Sequence, residues 1–203
     1  LAEFAILPAA ALVRIPPIFS YEEAACLPVA AATVWNSLVA FAQIKGGETL
    51  LTLGTGGVST MALQFGRLLG ARVAITSSSD EKLARMKELG ADIVVNYAKD
   101  AEWNKAILKA TDGVGVDVVI EAAGVPAAIL EGIQCLRNGG RYCELGHFAD
   151  VGEIPINPNR HFLANNITLV GSSGYGPDHF LQAIRLLEKR AFPYELLVTH
   201  RLP

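Results

Sequence analysis

Apolar and polar positions between residues 48 and 78 follow two different patterns in turn. Thr49 to Leu53 is a short, mostly apolar run, which is typical of a strand buried in a parallel sheet. A glycine-rich segment follows, and apolar residues then recur at roughly helical spacing as far as Gly70. Arg72 to Thr76 is a second mostly apolar run. The pattern predicts a strand, a turn, a helix and a second strand.

The same alternation of strands and helices continues along the chain. Ser20-Tyr21-Glu22-Glu23 fits an N-cap with a capping-box glutamate, and it predicts one or two helices that run to about Gln43. Beyond residue 78 the pattern predicts helices at 80–89, 103–110, 127–136 and 178–189, strands at 93–96, 116–120, 141–145 and 167–171, and an irregular stretch at 146–166. We therefore predict an α/β fold, a doubly wound parallel sheet (Rossmann fold) of about six strands with helices on both faces, over residues 20–191.

Composition and charge exclude two classes of partner. The chain has 203 residues, enough for one large domain or one and a half, and a net charge of -3. That charge gives no basic footprint for nucleic acid, so we expect no nucleic-acid partner. Residues 24–44 carry no charge and are about long enough to span a bilayer. They contain Pro28, Asn36 and Gln43, so a buried helix of a soluble protein is the better interpretation, and we expect no membrane partner.

Cysteine usage indicates a reducing compartment. Cys26, Cys135 and Cys143 are odd in number, far apart in the sequence and not part of a C-x-x-C pair. A disulfide framework is therefore not expected. We predict a cytoplasmic protein.

The glycine-rich turn carries the first candidate chemistry. Residues 54–59 read Gly-Thr-Gly-Gly-Val-Ser, so Ser59 occupies the third glycine position of the G-x-G-x-x-G pattern. Glycines let the backbone approach a pyrophosphate, and the following helix offers free N–H groups and the positive end of its dipole. The alternative is a glycine-rich turn in another kind of α/β protein. The strand before and the helix after the turn favour dinucleotide binding.

Several motifs together resemble the medium-chain dehydrogenase/reductase superfamily. They are the glycine turn, residues 11–16 (Ala-Leu-Val-Arg-Ile-Pro), 89–92 (Leu-Gly-Ala-Asp), 119–124 (Val-Ile-Glu-Ala-Ala-Gly) and 136–141 (Leu-Arg-Asn-Gly-Gly-Arg). The resemblance implies the cofactor domain of a two-domain enzyme. Residues 1–19 would then be the end of a mostly missing N-terminal catalytic (GroES-like) domain and a connection. Residues 192–203 would be the start of the return to that domain.

The resemblance also implies a reaction and a set of cofactor-binding residues. The expected function is an NAD(P)-dependent oxidoreductase that transfers a hydride between nicotinamide and a small carbonyl, alcohol, quinone or enone substrate. The catalytic residues stay unknown. A non-catalytic nucleotide-binding module remains an alternative. The implied cofactor contacts are Thr33 at the nicotinamide, Gly54, Gly56, Gly57 and Val58 along the pyrophosphate and ribose, and Ala122, Gly124, Gly146 and His147 at the carboxyl edge of the sheet. Thr33 has an equal alternative, a helix threonine bonded to its own backbone.

Cofactor choice depends on the end of the second strand. NAD enzymes carry an acid there, about 20 residues beyond the loop, that binds the ribose hydroxyls. Here the position 24 residues after Gly54 is Ser78, next to Ser77, and Lys82 lies one helical turn further. Tyr97 matches a tyrosine that contacts the adenosine phosphate in the quinone-reductase branch. These residues favour NADP(H) over NAD(H). Two alternatives remain: Asp80 could serve as the ribose acid, and the serines could simply cap the next helix.

The superfamily has a zinc-dependent alcohol dehydrogenase branch and a zinc-free quinone or enone reductase branch. The zinc branch commonly places a cysteine where this chain has Val29. Cys26 lies three residues earlier, and we interpret it as a small core residue. The four histidines, His147, His161, His179 and His200, lack metal-ligand spacing, although His147 follows a strand at the cofactor edge. We expect no zinc or other metal held by this chain. Residues 146–158 resemble zinc-type members, so a zinc-dependent alcohol dehydrogenase remains an alternative.

The last predicted strand indicates how two copies would associate. Residues 167–171 end the sheet and would leave backbone N–H and C=O groups unpaired. In the superfamily this edge pairs with its own copy across a two-fold axis. We therefore expect a homodimer through 167–171.

Overall fold

Six parallel strands form one sheet in the computed structural model, which describes residues 4–189, 191–193, 198, 200 and 201. The strands are β1 (Thr49–Leu53), β2 (Arg72–Ser77), β3 (Ile93–Asn96), β4 (Val116–Glu121), β5 (Leu136–Glu144) and β6 (Thr168–Gly171). Their order across the sheet is β3-β2-β1-β4-β5-β6. The order reverses between β1 and β4, which makes the carboxyl ends of these two strands the topological switch point. The predicted doubly wound parallel sheet is confirmed.

Helices cover both faces of the sheet. They are α1 (Tyr21–Ala25), α2 (Leu27–Trp35), α3 (Gly57–Leu68), α4 (Asp80–Glu88), α5 (Trp103–Ala110), α6 (Pro126–Gln134), α7 (Pro158–His161) and α8 (Pro177–Leu187). On one face Leu50 belongs to the same buried cluster as Phe65 of α3 and Leu187 of α8. On the other face Leu51 belongs to a second cluster with Ile107 of α5. Successive residues of β1 are thus buried on opposite faces, as the alternation of a strand requires.

Local capping chemistry sets several helix boundaries where the sequence predicts them. The Ser20 hydroxyl accepts a bond from the Glu23 N–H at 3.2 Å, and the Glu23 carboxylate accepts from the Ser20 N–H at 2.8 Å. This reciprocal pair is the predicted capping box of α1. Ser79 caps α4. Gly70, with φ of +80°, follows α3 and adopts the left-handed conformation that commonly ends a helix.

The strand β5 begins earlier than the sequence predicts. We expected a helix over 127–136 and a strand over 141–145, but α6 ends at Gln134 and β5 runs from Leu136 to Glu144. Leu136 fits the helical spacing of α6, so its apolar character alone cannot assign it. In the structure Leu136 pairs with Val116 instead. Tertiary pairing therefore overrides the local pattern.

A bulge separates the two ends of β5. After the Leu136–Val116 pair, the next aligned pair is Arg141 with Val118. The extra residues of β5 have no partner in β4, and Gly139 among them has φ of +74°, which a glycine adopts at no steric cost. The bulge resets the register, so that Glu144 at the end of β5 lies opposite Glu121 at the end of β4.

The remaining predictions concern the ends of the chain and the long connection. The irregular stretch 146–166 contains the short helix α7 and a 3-10 turn at Leu163–Asn165, which the sequence did not predict. The helical region predicted to reach about Gln43 continues past α2 as a π-helical segment, Asn36–Phe41. Much of the predicted return segment 192–203 lies outside the described residues. In the part of the chain that the structure describes, no helix combines the length and the apolar character needed to cross a bilayer.

Candidate functional site

The predicted site residues collect at one edge of the sheet. Because all six strands are parallel, their carboxyl ends lie along the same edge. Gly54 directly follows β1, Ser78 follows β2, Tyr97 follows β3 and Ala122 follows β4. Gly146 lies two residues beyond the end of β5. Ligands bind at this edge in open α/β sheets, and most densely at the switch point.

The glycine turn presents open backbone to this edge. Gly54 has φ of +90°, so the turn needs a glycine at that position. A Cβ added at Gly56 or Gly57 would meet no atom within 4 Å, and both residues are exposed. Gly56 is the N-cap of α3 and supplies no side-chain cap to the first N–H groups of the helix. An uncapped helix start beside open space fits an anion such as a pyrophosphate.

Ser59 explains how the turn tolerates the loss of the third glycine. Its side chain is buried, and its hydroxyl donates to the carbonyl oxygen of Leu53 at 3.1 Å. The bond joins the first turn of α3 to the last residue of β1. The small serine thus keeps the helix and strand close.

The hydroxyl of Ser77 contacts the glycine turn. It lies 3.1 Å from the hydroxyl of Thr55 and accepts a bond from the Ser79 N–H at 3.3 Å. Ser77 is buried, whereas Ser78 and Lys82 are exposed beside it. Of the two predicted serines, Ser78 is therefore the one whose side chain faces solvent.

Asp80 has partners of its own. Its carboxylate accepts a bond from the Asn96 amide at 2.6 Å and forms an ion pair with Lys99. Bonding to Lys99, then to Asn96, lowers the pKa of the Asp80 carboxyl below its usual value. Sequence reasoning missed Lys99, since it lies 19 residues from Asp80 and only the pairing of β2 with β3 brings the two segments together.

A cavity of about 380 Å³ opens beside the glycine turn. It is lined by part of β2, by residues that follow β1, β3 and β4, and by the start of α6, among them Gly54, Thr76, Tyr97, Ala123, Val125 and Ala128. Trp103 and Glu131 line it as well, and the Trp103 indole donates to the Glu131 carboxylate at 3.0 Å. The cavity lies at the switch point, where a planar, mostly apolar group would fit beside the turn.

The other predicted contacts lie at the same edge or on the helix that packs beside it. Val58 and Ala122 are half-buried against the core cluster that includes Leu50. Thr33 is half-buried on α2. Gly124 and Gly146 are in close contact, because a Cβ on Gly124 would lie 2.6 Å from the Gly146 carbonyl oxygen.

Two glutamates and His147 form a cluster behind these glycines. His147 Nδ1 lies 2.7 Å from Glu144 Oε1 and 3.6 Å from Glu121 Oε2. Glu121 Oε1 accepts bonds from the N–H groups of Ala123 at 2.8 Å and Gly124 at 2.9 Å. The sequence singled out His147 and the segment that contains Glu121, but not Glu144. Glu144 could have been found from the fact that β4 and β5 each end in a glutamate.

The cluster is short of hydrogen-bond partners. Glu121 is fully buried, and its Oε2 has no hydrogen-bond partner, as is also true of Glu144 Oε2 and His147 Nε2. Burial first, and then the negative charge of Glu144, raises the pKa of the Glu121 carboxyl. Buried polar atoms are usually paired, so three of them in one cluster require an explanation.

Two of the three cysteines lie in surroundings that disfavour a thiolate. Burial raises the pKa of the Cys135 and Cys143 thiols to about 12, which disfavours the thiolate that binds zinc. Cys26 is half-buried at the end of α1, so it is less buried than the core residue that we predicted. Val29 is 67% exposed.

Comparison with known proteins identifies relatives of this fold. Residues 57–189 match the family model described as zinc-binding dehydrogenase. A zinc-type alcohol dehydrogenase-like protein of Schizosaccharomyces pombe is 47% identical over 155 residues, which are 75% of this chain and 44% of that protein. The chain spans about half the length of several curated relatives that it matches.

Solved structures from two kinds of oxidoreductase superpose on the chain. An alcohol dehydrogenase of Thermotoga maritima has a TM-score of 0.83 and 26% identity over 91% of this chain and 51% of its own. A quinone oxidoreductase of Pseudomonas syringae has a TM-score of 0.78 and 28% identity over 91% of this chain and 58% of its own.

Proposed function

Since the chain belongs to the zinc-binding dehydrogenase family of the medium-chain dehydrogenase/reductase superfamily, we propose that it is the cofactor-binding part of an NAD(P)-dependent oxidoreductase. The observation that carries the proposal is the open glycine turn at the switch point, with the 380 Å³ cavity beside it. The reaction proposed is hydride transfer between nicotinamide and a small carbonyl, alcohol, quinone or enone substrate. The dinucleotide supplies the hydride chemistry when it is bound.

The residues of this chain would bind and orient the cofactor. The N–H groups at the start of α3 would hold the pyrophosphate, because Gly56 and Gly57 leave its approach unobstructed. Tyr97 and Val125 would enclose the adenosine half in the cavity. Leu145 and Gly146, at the end of β5, would line the path toward the nicotinamide. The close contact between Gly124 and Gly146 would help to fix the relative position of the β4 and β5 ends.

We further propose that the chain binds NADP(H) in preference to NAD(H). Ser78 and Lys82 are exposed after β2, where a 2′-phosphate would accept bonds from a hydroxyl and an ammonium. Asp80, the acid that could have served the ribose of NAD, is bonded to Asn96 and Lys99. Its charge is thus compensated by Lys99, which reduces the repulsion of a phosphate at this site.

A zinc-dependent alcohol dehydrogenase is the second candidate function. It is favoured by the name of the Schizosaccharomyces pombe relative, which is a zinc-type alcohol dehydrogenase-like protein. Against a catalytic zinc held by cysteines of this chain stand Val29, which offers no metal ligand, and the raised pKa of the Cys135 and Cys143 thiols. If the protein is a zinc-dependent alcohol dehydrogenase, this chain would bind the cofactor and would not supply cysteine ligands to the catalytic zinc.

We also propose a cytoplasmic homodimer. The strand β6 is at the edge of the sheet, and three of its four residues are exposed. A second copy could pair with that edge across a two-fold axis.

The three free cysteines support a reducing compartment, and hence the proposed cytoplasmic location.

The direct test is hydride transfer by the full-length protein that contains this chain. Reduced cofactor is mixed with panels of aldehydes, ketones, quinones and enones, and oxidised cofactor with alcohols, while nicotinamide absorbance is followed. We expect turnover with one of these substrate classes. Cofactor binding without turnover on any of them would favour the non-catalytic nucleotide-binding module, and absence of binding would contradict both.

A further inference from the structure

We propose that Glu121, Glu144 and His147 form a binding site for one divalent transition-metal ion, separate from the cofactor cavity. The candidate ligand atoms are one carboxylate oxygen from each glutamate and Nδ1 of the histidine, and they all lie within 4.8 Å of one another. The inference goes beyond the proposed function and does not depend on it. It also departs from our sequence-based expectation that the chain holds no metal.

The first support is an unpaired, fully buried ligand atom. Glu121 has no exposed surface, and its Oε1 is already held by the N–H groups of Ala123 and Gly124. Its Oε2 has no hydrogen-bond partner and lies 3.6 Å from His147 Nδ1. A carboxylate oxygen buried without a partner costs free energy, and a bound cation would remove that cost.

The second support is the charge balance of the cluster. Two carboxylates face one imidazole, which carries at most one positive charge. No lysine or arginine forms an ion pair with either glutamate among the salt bridges of the described residues. A divalent cation would balance both carboxylates while the histidine bound as a neutral ligand.

The geometry fits a small ion with modest adjustment. Two ligand atoms at about 2.1 Å from a tetrahedral ion are about 3.4 Å apart, close to the 3.6 Å between Glu121 Oε2 and His147 Nδ1. Glu144 Oε1 lies 2.7 Å from Nδ1, a hydrogen-bond distance, so these two atoms would move apart to admit the ion between them. Glu144 Oε2 has no hydrogen-bond partner and offers a second oxygen for the ion.

A second cavity gives access to the cluster. Glu144 and His147 line a cavity of about 370 Å³ with Pro126, Ile129 and the 148–154 loop. Of these residues, none lines the cavity beside Gly54. An ion could therefore reach the cluster, and an exogenous ligand could complete its coordination, while the cofactor cavity is occupied.

The donor set indicates the class of ion. Imidazole suits zinc, iron and other transition metals, whereas magnesium prefers oxygen ligands alone. The test is isothermal titration of the metal-stripped 203-residue chain with Zn²⁺, Mn²⁺ and Mg²⁺. We expect one Zn²⁺ per chain, weaker Mn²⁺ binding and much weaker Mg²⁺ binding.

Variants locate the ion. Glu144→Gln and His147→Gln should each weaken Zn²⁺ binding roughly tenfold or more, since loss of even an outer partner of a metal site commonly costs about 10–100-fold. The matched controls are Glu153→Gln, an exposed carboxylate on the neighbouring loop, and His161→Gln on α7, which should bind Zn²⁺ as the parent does. Thermal unfolding without metal verifies that each variant folds.

Cobalt provides an independent measurement on the unaltered protein. Co²⁺ bound by nitrogen and oxygen lacks the intense thiolate-to-cobalt absorption that a cysteine ligand produces. We expect a cobalt spectrum without that band. Added Zn²⁺ should displace the bound Co²⁺ and remove its spectrum. Any of three results would overturn the proposal: no Zn²⁺ binding below millimolar concentration, equal affinity in both ligand variants and both controls, or a thiolate band.

Discussion

Gly124 and Gly146 touch so closely that a side chain on either would collide with the other. A Cβ on Gly146 would lie 2.3 Å from the Gly124 backbone nitrogen and 2.3 Å from Glu121 Oε2. A Cβ on Gly124 would lie 2.6 Å from the Gly146 carbonyl oxygen, at a backbone φ of +68°. This contact joins the turn after β4, which lines the cavity beside Gly54, to the segment that follows β5.

Substitution of Gly146 should therefore destabilise the fold. We expect Gly146→Ala to lower the free energy of unfolding by about 1–3 kcal/mol, the usual cost of forcing extra atoms into a packed site. Gly174→Ala is the matched control, because a Cβ there would meet nothing within 4 Å. Urea unfolding followed by circular dichroism measures both variants. Equal midpoints for the two variants would mean that the β4 and β5 ends separate easily, contrary to the observed contact.

Much of the fold could be predicted because its signals are local. The bounds of β3 and α5 match the predicted 93–96 and 103–110 to the residue, and the capping box at Ser20 lies where the sequence places it. Apolar runs, caps and glycines act over a few residues, so the sequence alone displays them. The start of β5 could not be predicted, because Leu136 satisfies both helical spacing and strand pairing.

Some features of the candidate site could likewise be predicted from the sequence, and others could not. The glycine turn and the residues that follow the strands are visible in the sequence, since each ends an apolar run. The contacts of Asp80 with Lys99 and of Glu121 with His147 depend on which strands are neighbours and on their register. The bulge in β5 sets one of these registers. Neither contact has a signature within a short window of sequence.

A bulky residue at Gly56 should abolish tight cofactor binding. Gly56 has φ of −75° and ψ of −179°, so valine fits the backbone, and the open space means that the protein still folds. The new methyl groups would occupy the approach to the N–H groups of α3. Loss of one bond between a backbone N–H and a charged phosphate costs about 1.5–3 kcal/mol, or roughly 10–100-fold in affinity.

The matched control for Gly56→Val is Gly176→Val. Gly176 is also a helix N-cap with an extended backbone and nothing within 4 Å, but it precedes α8. Calorimetric titration with NADPH and NADH should show weakened binding in the Gly56 variant alone. Parental affinity in Gly56→Val would remove the glycine turn from the binding site.

The proposed homodimer predicts a specific response to charge at the sheet edge. Leu169 in β6 is 43% exposed, and a lysine there would place like charges near each other across a two-fold axis. We expect the parent to have a dimeric mass by light scattering at micromolar concentration and Leu169→Lys to be monomeric. Val114→Lys, on an exposed turn after α5, should stay dimeric. A monomeric parent would refute the assignment of this edge.

Zinc content tests the role of Cys26. If this chain holds no catalytic zinc through Cys26, then Cys26→Ser in the full-length protein should leave zinc per chain and the proposed hydride transfer unchanged. The physical reason is that Val29, which cannot bind a metal, occupies the place of the zinc-branch cysteine. Elemental analysis of parent and variant measures the result. Stoichiometric zinc that is lost in Cys26→Ser would instead favour a zinc-dependent alcohol dehydrogenase.

Cofactor selectivity should depend on Lys82. Its ammonium is exposed one helical turn beyond Ser78, in reach of a 2′-phosphate, while the competing Asp80 carboxylate is paired with Lys99. Removal of one charge-assisted contact costs about 1.5–3 kcal/mol, so Lys82→Ala should weaken NADPH binding roughly tenfold or more. NADH lacks the phosphate, and its dissociation constant should stay the same. Lys109→Ala, an exposed lysine at the end of α5, is the control and should alter neither. Tighter binding of NADH than NADPH by the parent, or equal losses for both cofactors in Lys82→Ala, would contradict the preference for NADP(H).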